Sequence, residues 1–388
     1  MKAAGLSSRA GRFIVQQGGP DGFAAFVPAP LPPSPRLDPR PEIQLVLERA
    51  SRELGRLDGM TLTLPDPDLF LYAYVRREAV LSSQIEGTQS SLSDLLLFEN
   101  EAVPGVPRSD VVEVSNHIAA MQYGLKRIGE GFPLSLRLIR EVHRKLVTGV
   151  RGGVQTPGEF RTSQNWIGGT RPGNAAFVPP PPHELMPALS DLERFLHARD
   201  DGISSLLRAG MAHAQFETIH PFLDGNGRVG RLLITLLLCE GGLLTRPLLY
   251  LSLYFKQNRE RYYDALQRIR THGEWEEWLL FYLEGVADVA AEATSTAQKL
   301  ITIFEADRRE IRKLGRAGHT TTLVHDVLKR RAATTISKAA TGAGVSFPTA
   351  SAALRRLEAL GIVKEVTGRS RDQVFAYEKY LSTLGESG

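Results

Sequence analysis

The chain has 388 residues, of which 42% are hydrophobic and 23% are charged, and its formal net charge is +4. These fractions are ordinary for a globular protein, and the length allows two or three domains that each bury a core. Apolar runs stay far below the ~20 residues that a membrane helix requires, and the first ten residues lack the apolar centre of a secretory signal. The single cysteine excludes a disulfide within the chain and fits a reducing compartment, so we expect a cytoplasmic protein without membrane contact.

The first 109 residues divide into an arm and a helical region. Residues 1–27 mix Gly, Gln and small residues, and 28–41 contain seven prolines, so residues 1–41 are expected to form a flexible, proline-rich arm. Apolar spacing predicts helices over 42–57 and about 68–86, within an N-terminal helical region of residues 42–109. Gly87 is placed to end the second of these helices.

Helical patterns repeat from about residue 110 to 300, and we expect residues 110–312 to form a mainly α core. The predicted helices span 110–128, 134–149, 184–198, 203–218, 228–240, 256–270 and 274–300. One stretch rich in Gly and Pro, roughly 152–182, interrupts them with short β-prone pieces and predicts a hairpin or a long loop. A loop of this length in a compact domain is usually functional or disordered.

The C-terminal segment, residues 316–388, differs in charge and in pattern from the rest. It carries a net charge of +5, whereas residues 1–315 carry −1. Three short helices, over 320–331, 335–342 and 347–360, precede two strands, over 362–366 and 373–377, which is the outline of a winged helix-turn-helix domain.

The third of these helices is expected to pack one side inward and to present the other. The inward residues are Phe347, Ala350, Ala353 and Leu354, and the outward residues are Thr349, Ser351, Arg355 and Arg356. Together with Arg369 and Arg371 in the turn between the strands, the outward side would suit the phosphates of DNA. Use of the domain for protein contacts stays an open alternative.

The run from His220 to Arg231 combines residue types that suit phosphate chemistry. It reads His-Pro-Phe-Leu-Asp-Gly-Asn-Gly-Arg-Val-Gly-Arg, and an apolar helix follows it. Glycines at 225 and 227 allow positive φ angles and close backbone approach, and the N–H groups at the start of a helix suit an anion. Arg228 and Arg231 oppose the helix dipole in the first turn, a cost that a bound polyphosphate would reverse.

Two further residues of the run complete the predicted site. Asp224 lies beside the anion site, where a carboxylate repels phosphate unless a divalent cation such as Mg²⁺ bridges them. His220 precedes a proline, which disfavours the α conformation, so it is expected to project from the loop after helix 203–218. There it would act as a general base for a hydroxyl nucleophile. The chain contains no P-loop motif.

At every defined position this run resembles the signature of the Fic family, His-Pro-Phe-x-(Asp/Glu)-Gly-Asn-Gly-Arg-x-x-Arg. The resemblance extends over about residues 68–290, and a winged helix is a common companion in one subgroup. It implies a helical Fic core with a small β-hairpin flap. Because most members transfer AMP from ATP to a hydroxyl of a target protein, it also implies ATP, Mg²⁺ and a target Ser, Thr or Tyr.

The resemblance also implies roles for individual residues. His220 would deprotonate the target hydroxyl, Asp224 would bind Mg²⁺, and Phe222 would point into the core and fix the loop. The phosphates of ATP would meet Gly225, Asn226, Gly227, Arg228, Val229, Gly230 and Arg231. The flap would hold the target backbone through Trp166, Ile167, Phe177 and Val178. By the same resemblance, Asn258 and Tyr262 would lie near the adenosine of ATP.

A second motif, Ser82-x-x-x-Glu86-Gly87, resembles the inhibitory motif of the same family. Ser82 and Glu86 are four residues apart and share one helix face. The helix dipole disfavours a carboxylate in the last turn, and pairing with Arg231 would offset this. The pair would occupy the position of the γ-phosphate and misplace ATP. The alternative is an exposed glutamate at a helix end.

Several interpretations of the whole chain stay open beside inhibited AMP transfer. The protein would instead be a DNA-binding regulator whose Fic-like core only senses nucleotide, or the same site would remove AMP from the target with a water oriented by Glu86. Transfer of another phosphate-containing group is a third alternative, which the intact motif disfavours. Assembly into a homodimer also stays open.

Overall fold

A computed structural model describes the chain over residues 9–16, 22–38, 40–63, 68–100, 107–149, 156–198 and 201–384. The chain divides into two compact units, here called unit 1 and unit 2. Unit 1 comprises residues 1–58 and 116–290, and unit 2 comprises 59–115 and 291–388. The fold is mainly helical, as predicted. Among the helices described, none is long and apolar enough to cross a membrane.

The sequence predicted most of the helices, and they follow one another in the predicted order. Those up to the central run are β1 Gly11–Gln16, β2 Phe23–Pro28, α1 Pro41–Thr63, α2 Asp68–Ile85, α3 Leu92–Glu99, α4 Arg108–Gly129, α5 Leu136–Val147, a 3₁₀ turn Pro172–Asn174, α6 Pro182–His197 and α7 Ser205–Ile219. Those after it are α8 Asn226–Glu240, α9 Ser252–Gln257, α10 Arg259–His272, α11 Trp275–Arg312, α12 Arg316–Arg331, β3 Ala333–Thr335, α13 Ile336–Ala343, α14 Phe347–Ala359, β4 Lys364–Glu365, β5 Val374–Ala376 and α15 Glu378–Thr383.

Several helix boundaries differ from the prediction, two of them for local reasons. Helix α8 begins at Asn226 and not at 228, because Gly225 caps it in the left-handed conformation with φ 77°. The predicted helix 256–270 is two helices, α9 and α10, because the backbone of Asn258 leaves the helical region at φ −111° and ψ 37°. Helix α11 also continues to Arg312, beyond the predicted end at 300.

Helices α7 and α8 form the centre of unit 1. Nearly every side chain of α7 is buried, which is the pattern of a helix surrounded by other elements. The apolar run of α8 is buried in the same way from Leu232 to Leu238. Helices α5, α6 and α10 pack around this pair. The His220–Arg231 run forms the loop that joins α7 to α8 and the first turns of α8, so the motif lies at the junction of these two buried helices.

The N-terminal arm contains a hairpin that the sequence analysis did not predict. Strands β1 and β2 pair antiparallel, with Phe13 opposite Phe26. Phe26 is buried in a small cluster with Ala10 and Phe177, and its N–H donates to the carbonyl of Val178 at 2.9 Å. The apolar β2 segment is stable as a strand because partners distant in the sequence cover it, and composition alone does not show them.

In unit 2, α2 packs on α3 and on α12, and α12, α13 and α14 pack on one another. Strands β3, β4 and β5 form an antiparallel sheet in the order β3-β5-β4. The sequence predicted the three helices and two of these strands, but not β3, which has only three residues. Phe347 was expected to pack inward, and this is wrong. Its side chain is 56% exposed, because it begins α14 directly after the cap residue Ser346, and the buried face starts one turn later at Ala350.

Candidate active site

His220 directly follows α7 and adopts an unusual backbone conformation. The residue caps the helix with φ 49° and ψ 61°, in the left-handed region. The sequence predicted a residue beyond the helix end, and this is confirmed, although the conformation is left-handed and not extended. A non-glycine residue there costs roughly 1–2 kcal/mol, so surrounding contacts must hold it.

Part of this support comes from Asn226, the first residue of α8. Its side-chain oxygen accepts from the N–H of Phe222 at 2.8 Å, and its side-chain nitrogen donates to the carbonyl of Phe222 at 2.8 Å. The two bonds close the loop into a ring between Phe222 and the helix. The asparagine side chain therefore holds the loop.

Phe222 is fully buried and anchors the loop in the core. Its ring stacks on the imidazole of His143 from α5, with centroids 3.7 Å apart and planes within 3°. The Nδ1 of His143 accepts from the N–H of Gly158 at 2.9 Å, and Nε2 lies 3.0 Å from the carbonyl of Asp224. His143 is therefore neutral with its proton on Nε2, and burial lowers its pKa to about 4.

Charged side chains lie close together at the start of α8. Asp224 is half-exposed, and one carboxylate oxygen accepts from the N–H of Gly225 at 2.7 Å. The other oxygen lies 3.5 Å from a guanidinium nitrogen of Arg228. Arg228 and Arg231 are each only 4% exposed, so they are not part of a solvated helix face. Buried arginines in the first turns of a helix are costly unless an anion or carboxylate balances them.

The remaining predicted phosphate residues have different surroundings. Gly227 is half-buried in the first turn of α8. Val229 is 2% exposed and packs in the core. A Cβ at Gly230 would lie 2.3 Å from a carboxylate oxygen of Glu217, so a larger residue here would displace that side chain. The structure therefore places Val229 and Gly230 in the packing of the two helices.

Two buried histidines that the sequence analysis missed lie near these arginines. His117 on α4 is fully buried, and burial together with the charges of Arg231 and Arg228 lowers its pKa to about 3. His213 on α7 has Nδ1 2.8 Å from the carbonyl of Gly230, and burial lowers its pKa to about 3. Both side chains are neutral at physiological pH, so the arginines supply the positive charge.

The two residues expected near adenosine have different surroundings. Tyr262 is 1% exposed, its ring stacks on Phe255 at 4.6 Å, and its hydroxyl lies 2.9 Å from Nε2 of His213. Asn258 forms the break between α9 and α10, and its side chain donates to the carbonyl of Tyr254 at 3.0 Å. Tyr262 thus belongs to the aromatic core under the site.

The predicted flap is a minimal hairpin next to the N-terminal strands. Ile167 and Phe177 form an antiparallel bridge, with the N–H of Ile167 donating to the carbonyl of Phe177 at 2.8 Å. Phe177 and Val178 are buried, and the guanidinium of Arg270 lies 3.9 Å above the Phe177 ring. Trp166 is 39% exposed, so it is the predicted flap residue that is open to a partner.

The inhibitory motif belongs to unit 2. Ser82 lies on α2, which ends at Ile85, and the N–H of Glu86 donates to the carbonyl of Ser83 at 3.0 Å. Gly87 follows with φ 103°, a conformation that favours glycine and ends the helix. Glu86 therefore lies one residue beyond the helix, and it is exposed, as in the alternative interpretation.

Two family models match the chain over the segments that carry these features. Residues 45–126 match the Fic/DOC family N-terminal model, and residues 133–238 match the Fic/DOC family model. These matches support the Fic/DOC family. The second segment contains the loop, the start of α8 and the flap.

Curated relatives agree with this. The chain is 34% identical over 190 residues to a protein named Protein adenylyltransferase Fic from Culex quinquefasciatus. The matched segment makes up 47% of this chain and 34% of the relative. The chain therefore spans about a third of the length of the curated relatives it matches.

Solved structures share the fold at low identity. A Fic family protein from Desulfovibrio desulfuricans G20 covers 88% of this chain and 97% of its own, with a TM-score of 0.58 and 20% identity. A C. elegans Fic-1 fragment covers 67% of this chain and 75% of its own, with a TM-score of 0.50 and 22% identity. The fold of this chain is therefore shared with these two proteins.

Proposed function

We propose that the protein transfers AMP from ATP to a Ser, Thr or Tyr hydroxyl of a target protein. The observation that carries this proposal is the placement of His220 at the end of α7, directly before a helix N-terminus with two buried arginines. A base and a polyphosphate site on one short loop suit transfer of a phosphoryl-linked group to a hydroxyl. The curated relatives named adenylyltransferases support the same reaction.

In the proposed reaction, His220 accepts the proton of the target hydroxyl as that oxygen attacks the α-phosphorus of ATP. The bond between the α-phosphorus and the bridging oxygen breaks, and pyrophosphate leaves. Arg228 and Arg231 bind the phosphates of ATP and stabilise negative charge on them, together with the N–H groups at the start of α8. Because the side chains of His117 and His213 are neutral, the arginines supply the positive charge.

The residues at the start of α8 fit a magnesium ion that ATP brings with it. No group of three or more His, Cys, Asp or Glu side chains suited to a metal occurs among the residues that the structure describes. Asp224 supplies one half-exposed carboxylate beside the phosphate site. Mg²⁺ commonly uses one or two carboxylates with substrate phosphates and water, so Asp224 would hold it. The ion would neutralise charge on the phosphates.

Intact-mass spectrometry tests the proposed reaction. The purified chain, incubated with ATP and Mg²⁺, is expected to gain the mass of one AMP group at a hydroxyl of its own, since self-modification requires no identified target. Incubation with ATP and EDTA is the control for the metal. A gain of a phosphate alone would contradict AMP transfer and support a kinase-type reaction.

We further propose that Glu86 inhibits this reaction by pairing with Arg231 in the position of the γ-phosphate. Glu86→Gly is expected to raise AMP transfer, by roughly 10-fold or more, because a lost charge-assisted bond of about 1.5–3 kcal/mol no longer competes with ATP. The measurement is the initial rate of self-modification with labelled ATP.

A matched control for this variant is Glu130→Gly. Glu130 also lies one residue beyond the end of a helix, α4, and its N–H donates to a carbonyl of that helix, that of Lys126 at 3.0 Å. The control should leave the rate unchanged. Equal rates for Glu86→Gly and the unchanged chain would contradict the inhibitory role. If the Glu86→Gly variant removes AMP from modified protein more slowly than the unchanged chain, this would support the alternative in which Glu86 orients water.

We propose that residues 316–388 are a winged helix-turn-helix domain. Helices α12 to α14 and the sheet order β3-β5-β4 support this arrangement. Arg355 joins α14 to the strand turn, since it donates to the carboxylate of Glu358 at 2.8 Å and to the side chain of Gln373 at 2.7 Å. Arg369 and Arg371 are exposed in that turn. This surface suits the DNA backbone, with protein contacts as the alternative.

A further inference from the structure

The side chain of Arg161 joins the flap to the residue proposed as the catalytic base. Arg161 lies just before the flap and is 3% exposed. Its Nε donates to the carbonyl of His220 at 3.0 Å, and Nη2 reaches the carbonyl of Ile219 at 3.4 Å. The same guanidinium donates to the carbonyls of Ser163 at 3.1 Å and Pro180 at 2.6 Å.

These four carbonyls belong to two different parts of unit 1. Ile219 and His220 are the C-terminal end of α7, where the helix dipole favours a cation. Ser163 and Pro180 lie on either side of the flap hairpin. The backbone N–H of Arg161 also donates to the carbonyl of Pro221 at 2.9 Å. Burial lowers the pKa of Arg161 to about 10, so the side chain stays charged at neutral pH.

Asn165, at the foot of the same hairpin, repeats this connection. Its side-chain nitrogen lies 3.2 Å from the carbonyl of His220 and 2.9 Å from that of Phe222. The carbonyl of His220 thus accepts from two side chains of the flap segment. Because His220 adopts a left-handed conformation, these bonds oppose its relaxation to a more favourable backbone.

We propose that Arg161 is a positioning residue that aligns His220 with the flap, so that base and bound target are held in one geometry. This inference rests on the proposed AMP transfer. Arg161 acts through the backbone of His220 and touches neither nucleotide nor the reacting atoms. A misplacement of reacting groups by about 1 Å costs about 10²-fold in rate. Loss of Arg161 should therefore affect the chemical step and spare ATP binding.

The test compares Arg161→Lys and Asn165→Ala with Arg208→Lys in the full chain. Arg208 is also a buried arginine, 4% exposed, and it donates to the carbonyl of Phe195 and the carboxylate of Asp201 near the other end of α7. For Arg161→Lys we expect kcat of self-modification to fall about 10²-fold with KM for ATP unchanged. Asn165→Ala should act in the same direction, and Arg208→Lys should lower only Tm.

A second measurement does not depend on activity. Hydrogen exchange of residues 219–223 should become faster in Arg161→Lys and Asn165→Ala, and stay unchanged in Arg208→Lys. Unchanged exchange and unchanged kcat in both flap variants would overturn the inference, as would a loss of ATP binding in parallel with kcat. If the unchanged chain transfers no AMP, the proposed function fails, and the exchange result alone decides whether Arg161 holds the loop.

Discussion

His220→Ala is expected to lower AMP transfer by about 10²–10⁴-fold, because the variant lacks the general base that accepts the hydroxyl proton. The backbone of the loop should persist, since Phe222 stays stacked on His143 and closed by Asn226. ATP binding is therefore expected to remain. The measurement is the rate of labelled AMP incorporation, with nucleotide affinity determined separately by titration.

His183→Ala is the matched control, because it removes an exposed histidine on α6. The same pair of variants distinguishes an enzyme from a DNA-binding regulator. Binding to duplex DNA, measured by fluorescence anisotropy, should be equal in His220→Ala and the unchanged chain if residues 316–388 bind DNA. Full transfer activity in His220→Ala would contradict the role of His220 as the base. DNA binding by an unchanged chain that transfers no AMP would favour the DNA-binding regulator.

The second large effect expected is a loss of stability in mild acid. His117 and His213 have pKa values lowered to about 3, and that of His143 is lowered to about 4, in each case chiefly by burial. An unfolded histidine titrates near ~6.5, so between there and about pH 4 the unfolded chain binds more protons. Stability is therefore present above pH 6.5 and decreases as the pH falls.

The size of this effect follows from linkage between protonation and folding. Each buried histidine contributes about 1.4 kcal/mol per pH unit, so three together lower the free energy of unfolding by roughly 3–4 kcal/mol between pH 6 and 5. Since small domains are stable by only about 5–15 kcal/mol, unit 1 is expected to unfold in the range of pH 4–5. Urea titrations at several pH values measure this slope.

His143→Gln isolates one of the three contributions. The amide of glutamine does not titrate in this range and can still donate to the carbonyl of Asp224. The slope should therefore fall by about one proton. His183→Gln makes the same substitution at an exposed position and serves as the control. A slope that is the same in all three chains would contradict the assignment of His143 as a buried neutral histidine.

Local features of the site were predictable from the sequence because they depend on neighbouring residues. The proline after His220 predicted that the histidine leaves the helix, and the glycine at 225 predicted a turn that begins the next helix. Both are found. The apolar run after Gly230 similarly predicted α8, since a helix surrounded by other elements is apolar on all faces.

The contacts that hold the site were not predictable in this way. Arg161 and His220 are 59 residues apart, and His143 and Asp224 are 81 apart. A buried histidine on an apolar helix face and an arginine in a Gly- and Pro-rich loop have no distinguishing local pattern. The hairpin of β1 and β2 was missed for the same reason, because its covering partner Phe177 is distant in the sequence.

The sequence by itself determined the loop chemistry, the mainly helical fold and the segment order of this protein. Tertiary structure alone decided that Arg228 and Arg231 are buried, that Asn226 closes the loop, and that the flap segment holds the carbonyl of His220. The physical reason is that a residue type sets what a side chain can donate, accept or bury. Its partner and its solvent exposure depend on which distant segments the fold brings against it.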